Sequence, residues 1–164
     1  MSKGILLFAQ NNHTVDYVKQ AIYCAKKIKK HLGIGVALAT DNVDYLKEHY
    51  PYYERYIDHV ITLEWYECSQ KRTYRDGTMS KRDLEWRNFD RSSCYDITPF
   101  DETIVMDTDF ILGNDILKNA FDTDQEFLIY RHITDVNMDR PDEHRFNKIS
   151  DRSFDMYWAT VFYF

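Results

Sequence analysis

The sequence predicts an α/β domain in which a mostly parallel, Rossmann-like sheet is flanked by helices. Three observations carry that expectation. Residues 5–9 (ILLFA) form a short apolar run without alternation, as in a strand buried on both faces. Val15, Val18, Ile22, Ala25, Ile28 and Leu32 then recur at helical spacing. A second apolar run at 34–39 completes a strand–helix–strand unit. Such units cross over right-handedly and bind ligands beyond the C-terminal ends of their strands.

The elements follow in order. Thr14 is the expected cap of the first helix, Lys26, Lys27, Lys29 and Lys30 crowd its C-terminal end where the dipole favours cations, and Gly33 terminates it. The second strand ends at Thr40-Asp41, which puts Gln10, Asn11 and Asp41 on the ligand-binding rim. A short helix over 42–49 stops before Pro51, and 57–63 reads as a third strand. Residues 64–81 lack a period and contain Gly77, so a mobile loop is expected. A polar helix is expected over 81–95, burying Leu84, Trp86, Phe89 and Cys94 and setting Arg87 and Arg91 on one face. Thr98-Pro99 marks a break, and the strand at 103–106 delivers Asp107. After Gly113, Asn114 or Asp115 caps a short helix through Ala120, and a strand is expected at 126–130. Residues 133–152 read as loop with a helical piece, and 156–164 as a final aromatic strand.

Composition bounds the function. A chain of 164 residues, 44% hydrophobic and 16% aromatic, suits one domain with a real core. A net charge of -6 argues against a general nucleic-acid-binding surface and favours small anions as partners. Cys24, Cys68 and Cys94 are odd in number and lack metal-type spacing, as expected of reduced thiols in a cytoplasm. No signal peptide or membrane span is legible. The chain stops within the apolar run SFDMYWATVFYF, which suggests a piece of a longer protein or self-association through that strand.

The chemistry centres on DETIVMDTDFILGND, residues 101–115. The tripeptide Asp107-Thr108-Asp109 carries little weight alone, because the aspartate content gives about two D-x-D matches by chance. A second copy at Asp122-Thr123-Asp124 follows no apolar strand and reads as a solvated turn. Asp107 and Asp109 instead follow a buried strand, where residues two apart point the same way and both carboxylates address one site. A hard divalent ion, Mg²⁺ or Mn²⁺, relieves their repulsion and keeps positions for phosphate oxygens. The competing reading is that the pair caps the following turn.

As a whole, TPFDETIVMDTDFIL resembles the D-x-D region of nucleotide-sugar glycosyltransferases of the GT-A fold, including bacteriophage-type members. Other pieces fall in the family's order. FAQNNHTVDYVKQA resembles its first strand and helix, VALATDN its second strand, and RNFDRSSCYDITPFDETIVMD the approach to the metal motif. The resemblance implies one GT-A-like domain over 1–164 that binds a nucleotide-sugar donor. In it, Asp107 and Asp109 engage Mn²⁺ or Mg²⁺, Gln10, Asn11 and Asp41 lie near the base or ribose, and Arg87 or Arg91 points toward phosphate. The implied location is a cytoplasm, that of the host if the chain is phage-encoded. For the arginines, the residues themselves leave open a solvated face paired with Asp83, Glu85 or Asp90.

The chain also departs from the family pattern. Members usually add a further metal ligand, often His, and an acceptor-binding half, whereas only 55 residues follow Asp109 here. His132 and His144 sit in no matching motif, and Glu126, Asp135 and Asp139 are general-base candidates by position only. The acceptor is unassigned, and the expectation is a donor half with its acceptor region cut short. A haloacid-dehalogenase-like phosphatase also places D-x-D after a strand, but after the first one and followed by Thr where Ile111 stands. A sugar-1-phosphate nucleotidyltransferase needs a Gly-rich loop that AQNNHT does not supply. A non-catalytic remnant binding a nucleotide or a protein remains the alternative from a different class.

Overall fold

A computed structural model describes residues 1–64, 71–75, 81–85, 89–130 and 157–164, with 71–75, 81–85, 89 and 158 described by their backbone. It is a small α/β domain built on a six-stranded, mostly parallel sheet. The strands are β1 (Lys3–Phe8), β2 (Gly35–Thr40), β3 (His59–Thr62), β6 (Glu102–Met106), β7 (Leu128–Tyr130) and β8 (Trp158–Tyr163), in the order β3-β2-β1-β6-β8-β7. Pairs β2/β3, β1/β2 and β1/β6 are parallel, while β8 runs antiparallel to both β6 and β7. The chain winds from β1 through β2 to β3 on one side and places β6 on the other. The switch in direction therefore falls between β1 and β6.

The apolar pattern explains the layers. Ile5, Leu7, Val36, Leu38, Ile104 and Met106 face α1 (Tyr17–His31), α2 (Val43–His49) and the 3₁₀ segment Ile116–Asp122, in one buried cluster. Leu6, Ala37, Ala39 and Val105 form the opposite face with Cys94, from the short helix α3 (Cys94–Ile97), and with Phe100, Phe162 and Phe164 packed against them. Gly4 and Gly35 are paired in register, and a Cβ on Gly4 would overlap the Phe100 ring. The two glycines thus make the slot in which that ring lies.

The structure alters several local expectations. Helix α1 begins at Tyr17 with Asp16 as its cap, whose side chain accepts from the Lys19 N–H at 2.9 Å. Thr14 instead donates its hydroxyl to Asn12, whose carboxamide oxygen also accepts from the N–H groups of Thr14 and Val15. An upstream Asx turn therefore takes up the region that a threonine cap would have occupied. The expected loop at 64–81 contains β4 (Lys71–Arg75), which pairs antiparallel with β5 (Lys81–Glu85) in a separate two-stranded sheet. The expected helix over 81–95 is consequently replaced by β5, a 3₁₀ segment at Phe89–Ser93 and α3. Arg91 lies in the 3₁₀ segment, and Arg87, expected on one face with it, lies outside the described residues.

At the other end, Leu128–Tyr130 is shorter than the expected strand, and the segment at 133–152 lies outside the described residues. The aromatic final strand β8 is hydrogen-bonded on both sides, to β6 and β7. Association by strand addition needs an unpaired edge. Here the sheet's edges are β3 and β7, not the C-terminal strand. Among the described residues no helix is long and apolar enough to cross a membrane.

Candidate functional site

The rim beyond the C-terminal strand ends is pinned by a chain of short polar contacts. Thr40 is fully buried, donates its hydroxyl to the Ala9 carbonyl at 2.5 Å and accepts from the Asn42 N–H at 3.0 Å. The Asn42 side-chain oxygen accepts from the Asn11 N–H at 2.8 Å, and that of Asn11 accepts from the Val18 N–H at 2.9 Å. The ends of β1 and β2 and the start of α1 are thereby held together. Asn11 is a bracket for α1, and its side-chain oxygen is committed to that task. Gln10 is buried and donates from Nε2 to Asp90 Oδ2 at 2.9 Å, which joins the β1 end to the 3₁₀ segment carrying Arg91. Asp41 is half-buried just past β2.

Asp107 follows directly on β6 and is half-buried. Its N–H donates to the Thr160 carbonyl of β8 at 2.8 Å, and its carbonyl accepts from the Phe110 N–H at 3.1 Å. The second bond closes a turn over Thr108 and Asp109. Asp107 and Asp109 are therefore carried by a turn rather than by an extended strand. Thr108 is buried and donates to Gln20 Oε1 of α1 at 3.2 Å, whereas Asp109 is exposed. The charge of Asp109 nonetheless reaches three neighbours. Burial first and then that charge raise the Tyr17 phenol, and they push the Cys24 thiol up to about 12. At Arg91 burial lowers the pKa, while Cys94 and then Asp109 act in the opposite direction.

Arg91 is the residue that ties the site together. Its Nη1 donates to Asp107 Oδ1 in an ion pair, and its Nη2 donates to the carbonyls of Ala159 and, at 3.4 Å, Thr160. The guanidinium carbon lies 5.6 Å from the Phe162 ring centroid, within cation–π range. Its side chain is 12% exposed, against 35% for Asp107. The sequence leaves Arg91 between phosphate and a solvated pairing with Asp83, Glu85 or Asp90, and its ion-pair partner among the described residues is Asp107. No local signal announces a contact made across a turn and completed by carbonyls of the last strand. Tyr17, half-buried at the first turn of α1, is a second rim residue that sequence reasoning missed.

The donor set can be tested against a metal. Asp107 and Asp109 offer hard oxygens suited to Mg²⁺ or Mn²⁺. Among the described residues, no group of three or more His, Cys, Asp or Glu side chains is placed to hold an ion. A divalent ion therefore fits only as one that takes its remaining ligands from water and from a bound anion, which is the usual habit of Mg²⁺. His132, His144, Asp135 and Asp139 lie outside the described residues, and Glu126 is exposed ahead of β7. Asp122 and Asp124 are both exposed, in keeping with a solvated turn. Cys24 and Cys94 are buried free thiols, and Cys68 lies outside the described residues.

Fold and site together define a small α/β domain with an acidic turn at the carboxyl end of a central strand, beside the point where the sheet order reverses. No protein-family model matches the chain, and none of the curated proteins is significantly similar to it.

Proposed function

We propose that the chain is the donor-binding domain of a GT-A-type, metal-dependent glycosyltransferase, which moves a sugar from a nucleoside-diphosphate donor to an acceptor. The observation that carries this reading is the position of Asp107 at the carboxyl end of β6, directly across the switch point from Gln10 and Asn11 at the end of β1. Open parallel sheets bind ligands in the crevice at that point.

In this reading Asp107 and Asp109 hold Mn²⁺ or Mg²⁺ together with diphosphate oxygens. The ion, when bound, neutralises charge that grows on the leaving nucleoside diphosphate. Arg91 adds a guanidinium at the same carboxylate, aimed from a largely buried stem. Gln10, oriented by Asp90, and Asp41 face the nucleoside end. Asn11 fixes the start of α1 through its side-chain oxygen and stands at the same rim. A second reading, a non-catalytic binding remnant of the same fold, is favoured by the fact that Asp107 is already neutralised by Arg91.

The test is a thermal-shift panel of nucleoside diphosphates and nucleotide sugars with and without Mn²⁺, on the native chain and on Asp107→Asn and Asp109→Asn. Metal-dependent stabilisation that both variants lose, with turnover of one donor to an acceptor or to water, is the expected result. Binding without turnover of any donor supports the remnant. Absence of metal-dependent binding by the folded native chain sinks the donor-site reading.

A further inference from the structure

We propose that Arg91 is a built-in counter-ion for Asp107 that a divalent cation must displace, so that metal binding is coupled to the grip of the 89–93 segment on β8. The inference rests on the reading of Asp107 and Asp109 as metal carboxylates.

Three observations lead to it. The ion pair uses the carboxylate that the metal needs, and among the described residues Arg91 is the ion-pair partner of Asp107. The guanidinium is nearly out of water, and its Nε is buried with no hydrogen-bond partner among the described residues. Its remaining hydrogen bonds among the described residues go to two backbone carbonyls, of Ala159 and Thr160, which attract the cation but do not neutralise it. A desolvated charge of this kind depends on its counter-ion. A divalent ion arriving at Asp107 brings like charge against the guanidinium and competes for the same oxygens.

Two consequences follow. Metal alone binds weakly, because it must unseat Arg91. Metal with a nucleoside diphosphate binds better, because the diphosphate supplies the negative charge that a released guanidinium requires and that Arg geometry suits. Arg91 thus ties occupancy of the acidic pair to the strand returning behind it. Coupling is reciprocal, so whatever loosens Arg91 from β8 also strengthens metal binding.

The test is Mn²⁺ binding without nucleotide, read from the electron paramagnetic resonance of free Mn²⁺, for native protein, Arg91→Met, Asp107→Asn and Arg91→Met/Asp107→Asn. Couplings between sites commonly span roughly 5- to 150-fold, so Arg91→Met is expected to bind Mn²⁺ about tenfold more tightly than native protein. Adding Asp107→Asn removes that gain. Equal or weaker binding by folded Arg91→Met, with native binding still reduced by Asp107→Asn, overturns the coupling and leaves the metal reading standing. Failure of every form to bind Mn²⁺, with or without uridine, guanosine, adenosine, cytidine or thymidine diphosphate, overturns the metal reading and this inference with it. Should Arg91→Met not fold, the native protein decides through a Mg²⁺ titration of its arginine Nε–Hε resonances, assigned with Arg91→Lys. A moving Arg91 resonance supports displacement, and one unmoved at saturation refutes it.

Discussion

Breaking the Asp107–Arg91 pair should cost more than a surface ion pair is worth, and the exposures set the size. Solvated pairs contribute about 0–1 kcal/mol, whereas removing one partner of a buried pair costs about 3–5 kcal/mol. Arg91 is near the buried limit at 12% exposure, but Asp107, at 35%, keeps a share of its solvation. The expectation for Asp107→Ala in metal-free buffer is therefore a loss of about 2 kcal/mol, between the two regimes. For a chain of this size that corresponds to a fall in Tm of roughly 4–8 °C. Asp107→Asn should cost less, since its carboxamide oxygen still accepts from Nη1. Urea denaturation of Asp107→Ala, Arg91→Met and the double variant closes a cycle in which the pair shows a coupling of about 1–2 kcal/mol. Single losses each below about 0.5 kcal/mol, adding without coupling, would place the pair in the solvated class and contradict a counter-ion role for Arg91.

Other expectations reach different parts of the molecule. Asp16→Ala removes the α1 cap and the acceptor of the Tyr45 and Tyr50 hydroxyls, at 2.8 and 3.2 Å, and should cost about 1–2 kcal/mol by urea denaturation. Burial raises the Asp16 carboxyl, but its bonds from Lys19 N–H, Tyr45 and Tyr50 outweigh that and hold it below the ordinary 3.8. A depressed folded pKa gives stability that is present above the unfolded value and lost as pH falls through the folded one, so Asp16→Ala should flatten the acid limb below about pH 4. Gly4→Ala drives a methyl into the Phe100 ring and should cost about 1–3 kcal/mol, with much less added cost in a Phe100→Ala background. The Cys24 thiol, buried and pushed up to about 12, should resist iodoacetamide at pH 8 in the folded chain and react in urea, as peptide mapping by mass spectrometry would report.

The parallel half of the sheet was legible because its strands are buried on both faces, which demands continuous apolar runs such as 5–9 and 103–106, too short for buried helices. Helix α1 was legible from its period, while its start was not. Asn12 and Asp16 divide between them the work that a single capping threonine was expected to do. The β4–β5 hairpin was not legible because KRTYR and KRDLE offer almost no apolar alternation, and pairing between such strands is decided by context rather than propensity. The acidic site was legible in position only. That Asp107 ends a strand follows from sequence, but the turn that separates it from Asp109 and the guanidinium that claims it depend on Ala159 and Thr160, some fifty residues downstream. Contacts of that range leave no trace in a local pattern.

The most direct test of the donor-site proposal is calorimetric titration of the native chain and of Asp107→Asn/Asp109→Asn with the nucleoside diphosphate that stabilises the protein most, in Mn²⁺ and in EDTA. Binding by the native chain in Mn²⁺, lost both in EDTA and in the double variant, is the expected result. Binding that survives EDTA and the removal of both carboxylates would contradict the proposal, because the acidic turn between β6 and the 3₁₀ segment at Ile116–Asp122 would then have no part in holding the ligand.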